Sequence, residues 1–102
     1  MERPMTIPNQ DIYYQYSESR ELLTATLIER NQLLRALESL SKASQGPVST
    51  EIIARFDLGR AQTLLFQLSV ITKKIDSLII LINSYAEKAG MPQVEMIDHG
   101  ST

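Results

Sequence analysis

Apolar residues recur at helical spacing along most of this chain, and they fall into two long stretches divided by a single break. From about Asn9 to Ala43 the sequence is rich in Leu, Glu, Arg, Gln and Ala, all good helix formers. Ile12, Tyr16, Leu23, Leu27, Leu34 and Leu37 advance by about 100° per residue onto one face, and Leu33 and Leu40 widen that stripe. Asn9 or Asp11 is placed to cap its start. The break is the Ser-rich stretch from Ser41 to Ser49, which contains Gly46-Pro47. Proline cannot continue a helix and pushes the residue before it out of the α region.

The second stretch opens on a helix-start signal. Ser49 suits the cap, Glu51 brings negative charge to the first turn, and Val48 with Ile53 has the spacing of a hydrophobic staple. A heptad register then runs Ala54, Asp57, Ala61, Leu64, Leu68, Ile71, Ile75, Leu78, Ile82, Tyr85 and Ala89, with Asp57 as its polar member. Lys88, Gly90 and Pro92 form a stop signal, so the helix is predicted to end near Ala89.

These patterns predict an all-α fold: an antiparallel hairpin with helices at about 9–45 and 50–89. A flexible arm at 1–8 and a flexible tail at 90–102 flank the hairpin domain at 9–89. Within the tail, Val94, Met96 and Ile97 are the residues able to dock. A hairpin centred near Pro47 would set Asp57 opposite Leu37, Arg30 opposite Leu64, and Glu21 and Arg20 level with Lys73 and Lys74. The competing arrangement breaks the second helix at Gly59 and folds it into a compact monomeric bundle.

A two-helix seam needs apolar residues at only two positions per heptad. The second helix carries more: Leu58, Leu65 and Ile79 follow the seam positions, and Phe56, Phe66, Val70, Ile80 and Leu81 lie further round. Burying each such side chain is worth roughly 1.5–3 kcal/mol. The expectation is therefore a homodimer forming a four-helix bundle or coiled-coil assembly, or pairing with another helical protein. Candidate partner-binding residues are Tyr13, Tyr14, Tyr16, Phe66, Val70, Ile80 and Leu81. For the tyrosine cluster, the plainer reading is an aromatic plug closing the open end of the hairpin near Ile80, Tyr85 and Ala86.

Composition narrows the chemistry. With 102 residues, 43% of them hydrophobic, and no cysteine or tryptophan, the fold has no disulfide or thiolate metal site to hold it. A net charge of −2 does not suit a generally basic nucleic-acid protein. Arg55, Arg60, Lys73 and Lys74 are expected to be neutralised locally, and no aromatics interleave with them for base stacking. The longest apolar run, Leu78 to Ile82, has five residues against the roughly 20 of a membrane span. The first eight residues lack a secretory h-region, so a cytoplasmic chain that does not insert into membranes is expected, with export without a cleaved signal also compatible.

No catalytic, cofactor or metal site is expected. His99 is the single histidine and lies near the end of the tail, Glu18, Glu21 and Glu29 lack a Glu-x-x-His pair, and there is no phosphate loop, dinucleotide glycine pattern or nucleophile elbow. Asp57 and Arg30 interrupt apolar stripes, either as helix-edge charges, with Asp57 bonded locally to Arg60, or as residues that fix register or partner choice. The sequence thus points to a non-enzymatic protein–protein interaction module: an adaptor, small chaperone or assembly subunit. Two alternatives are a small dimeric regulator binding nucleic acid and a helical-bundle small-molecule sensor. In outline the hairpin is similar to small bacterial secretion chaperones and exported helical hairpins, although the Trp-x-Gly turn of one such exported family is missing.

Overall fold

The computed structural model describes residues 8–97, with side chains from residue 11. Among these residues there are two α-helices, α1 (Pro8–Ala43) and α2 (Leu58–Ala89), which pack against each other. Pro8 opens α1, where its missing N–H costs nothing and its fixed φ suits the first helical position. At the other end, Ser44 and Gln45 donate backbone N–H groups to Ser41 and Lys42, tightening the last turn, and the Ser44 hydroxyl closes on the Leu40 carbonyl.

The second helix begins later than its start signal predicts. The Ser49 hydroxyl does accept the N–H groups of Glu51 and Ile52, but the chain then stays irregular until Asp57. There the Asp57 carboxylate accepts the Arg60 N–H at 2.9 Å and its carbonyl accepts the Ala61 N–H at 3.1 Å, the pattern of an N-cap. The expected helix start at residue 50 is therefore corrected to Leu58. Gly59 sits in the first turn, and α2 runs unbroken past it, without the break of the compact-bundle alternative. The far end matches expectation: α2 stops at Ala89, Gly90 takes φ +67°, and the Met91 N–H reaches back to the Ala86 carbonyl at 2.9 Å.

The chain divides into two compact units, one formed by residues up to Thr24 with those from Asp76 onward, the other running from Ala25 to Ile75. In the 25–75 unit, the groove holding Glu29 and Leu33 also holds Phe66, Gln67, Val70 and Ile71. Leu33 therefore lies about five residues further along α2 than a turn centred on Pro47 would put it. Asp57 and Arg30 are accordingly not opposite Leu37 and Leu64. The reason is the long connection at 44–57, which moves the effective pivot towards residue 50. The same register brings Asp57 level with Ala43, so a helix begun at Thr50 would project past the end of α1 with nothing to pack on. Thr50, Ile52, Ile53 and Phe56 have modest intrinsic helix propensity, and a short helical extension lacking tertiary contacts is marginal.

The core of α2 follows the predicted heptads from Ala61: Ala61, Leu64, Ile71, Ile75, Leu78 and Ile82 are buried, joined by Ala86. The stripe on α1 is partly different. Its buried residues are Tyr16, Ser19, Leu23 and Thr26, continued by half-buried Arg30, Leu33, Leu37 and Leu40. Leu34, predicted inside, is exposed, and Ser19 and Thr26 take seam positions. Their spacing of seven places Ile12, Ser19, Thr26, Leu33 and Leu40 in one heptad row.

Leu64 is 1% exposed, so Leu64→Ala should lower the urea unfolding free energy by about 2–5 kcal/mol. Asp57→Ala should cost about 1 kcal/mol, as loss of an N-cap does, whereas Ser49→Ala should be close to neutral. Equal effects at Ser49 and Asp57, followed by circular dichroism, would contradict the helix start at Leu58.

Candidate functional site

The predicted tyrosine cluster separates into two kinds of residue. Tyr16 is buried, donates its hydroxyl to the Pro92 carbonyl at 2.7 Å, and accepts from Arg20, whose guanidinium also stands over the ring. The Tyr16 hydroxyl is thus held within the chain, against the segment that follows α2. Tyr13 and Tyr14 are exposed. The Tyr14 hydroxyl donates to Glu18 at 2.8 Å, and that bond, backed by the Glu18 charge, holds its pKa above the usual 10.0.

A second contact to the segment after α2 is one that sequence patterning does not reveal. Asn83, half-buried on α2, uses its amide oxygen to accept the Val94 N–H at 2.7 Å and its amide nitrogen to donate to the Val94 carbonyl at 3.0 Å. One side chain thereby satisfies both main-chain groups of a residue outside the helices. Val94 is half-buried as a result, while Met96 and Ile97 are exposed. Of the three residues able to dock, Val94 does so. The arm at 1–7 and residues 98–102, His99 included, lie outside the described residues.

The remaining partner-binding candidates are surface residues. In the 25–75 unit, Phe66 is 70% and Val70 51% exposed, one turn apart on α2. With Leu33, Ile71, Gln67 and Glu29 they line an open, mainly apolar groove of about 270 Å³. In the other unit, Ile80 is 72% exposed and Leu81 41%. The connection at 44–57 adds Val48, Ile52, Ile53 and Phe56, all exposed, the last three being residues that a helix begun at Thr50 would contain.

The charged residues make mostly local contacts. Among the described residues, no group of three or more His, Cys, Asp or Glu side chains is close enough to hold a metal ion. An ion pair among the described residues joins Glu38 and Lys42 within α1. Asp57 is a cap, and Arg30 donates to the Asn31 side chain beside it, so both interact locally. Asp57 does lie by Arg60, through the backbone N–H and not the guanidinium. Among the described residues no helix is long and apolar enough to cross a membrane. No family model, curated protein or solved structure matches the chain.

Asn83→Ala should free Val94, raising the hydrogen-exchange rate of its amide by at least tenfold, as expected when a part-buried N–H loses its acceptor. Unchanged protection would mean that Asn83 does not hold this segment.

Proposed function

We propose that the chain is a non-catalytic interaction module that works by helix packing, as an adaptor, small chaperone or assembly subunit. The observation that carries this reading is the exposed apolar surface beyond the seam, above all Phe66 and Val70 on one unit and Ile80 on the other. Large apolar side chains left exposed on a small protein in this way are characteristic of interaction sites. Aromatic residues such as Tyr13, Tyr14 and Phe66 are also the types that anchor interfaces, because they offer large contact area with few rotatable bonds.

A catalytic reading has no support of comparable weight. Among the described residues, exposed hydroxyls bond locally, as Thr63 does to the Gly59 carbonyl, Ser69 to the Phe66 carbonyl and Tyr14 to Glu18. The 270 Å³ groove is open and lies just below the usual size of an enclosed small-molecule pocket. Its aromatic and aliphatic walls suit a protein side chain better.

Light scattering and fluorescence of a hydrophobic dye test the reading together. The chain should either associate or, where it is monomeric, bind the dye, and Phe66→Asp with Ile80→Asp should suppress whichever signal is seen. A monodisperse monomer that leaves the dye dark would end the proposal.

A further inference from the structure

We infer that the face of the 25–75 unit carrying Phe66 and Val70 receives a second copy of this chain, with α1 of each copy lying across α2 of the other. This rests on the interaction-module reading above and names its partner. The argument starts from the edges of the groove. Glu29 stands on the α1 rim, and Gln67 lines the α2 side. Seven residues on from Gln67, on the same edge of α2, is Lys74, one turn beyond Val70. Both Glu29 and Lys74 are exposed, and neither belongs to an ion pair among the described residues. The apolar strip is therefore bordered by an unpaired carboxylate on one helix and an unpaired ammonium on the other.

That polarity selects one symmetry. A two-fold axis running along the helices lays α1 of the second copy antiparallel over α2 of the first and keeps their levels aligned. Glu29 of the second copy then comes level with Val70 and Ile71, within one turn of Lys74, and the pair is made twice. A two-fold axis running across the helices would instead stack α1 on α1 and set Glu29 edges against each other, which like-charge repulsion opposes.

Size complementarity follows the same arrangement. Phe66 comes level with Leu33 and Ala36 of the second copy. Ala36 lies one heptad from Glu29 on the same edge of α1, so a small residue receives a large exposed ring. The resulting contact is isologous, as closed dimers require.

The test is sedimentation equilibrium of the full chain and of Glu29→Lys, Lys74→Glu and the two combined, with circular dichroism confirming unchanged helicity at these exposed positions. The wild type should dimerise. Each single reversal should raise the dissociation constant roughly tenfold, the scale of turning two rim pairs repulsive, and the double reversal should restore most of the loss. A wild type that stays monomeric at about 100 μM would overturn the inference. So would a dimer insensitive to the single reversals, or single losses that the double reversal fails to restore. A monomer that still binds the dye through Phe66 defeats the second copy as partner but leaves the interaction module standing. A monomer that binds none defeats both.

Discussion

Two helices packed side by side hide one stripe on each, and much of this molecule's character follows from that limit. The stripe on α2 is well supplied, running from Ala61 through Leu64, Ile71 and Ile75 to Ile82. The stripe on α1 is not, for Ser19, Thr26 and Arg30 take positions that a hairpin core would ordinarily fill with aliphatic residues. The large side chains of α1 and α2 that do not fit the shared stripe, among them Ile28, Leu34, Phe66 and Ile80, remain in contact with solvent. A compact globular domain would bring a third element over them. Among the described residues the regular elements are α1, of 36 residues, and α2, of 32, and no third helix lies over them.

The connection at 44–57 obeys the same limit from another direction. Its sequence has the cap and the staple of a helix, and Ser49 even makes the cap's hydrogen bonds. A helix there would nevertheless have no surface to lie on, because α1 has already ended at Ala43. Local signals specify where a helix is able to start, whereas packing decides where it does. Asp57 wins because the next residues bury Ala61 and Leu64, and its carboxylate satisfies a free N–H at the point where burial begins.

This explains which parts of the structure could be read from residues alone. Heptad spacing located the α2 core from Ala61 onward and the stop at Gly90 located its end, because both depend on patterns internal to one helix. The α1 stripe was harder. Leu27 and Leu34 attract attention as apolar residues, yet the row that faces inward includes Ser19 and Thr26, whose small polar side chains carry no hydrophobic signal. Asp57 looked like a polar intruder in a heptad and proved to be the cap, a role that depends on the level at which α1 stops. The Asn83–Val94 pairing was invisible for a related reason: an asparagine mid-helix reads as surface, and only the returning chain gives its amide a main-chain partner.

Weakness along the α1 stripe also bears on how the proposed interaction would be felt. Where a seam contains Thr26 and Arg30 in place of leucine, the hairpin alone gains less from burial, while the entropy lost in ordering two long helices is undiminished. Covering Phe66 and Val70 with a second copy would add burial to the same helices without ordering much new chain. Association and folding would then be linked, so the unfolding midpoint would rise with protein concentration. The apolar strip outside the seam and the polar residues inside it are on this view two sides of one arrangement: material that a self-sufficient hairpin would place in its core stands on its surface, where a partner can use it.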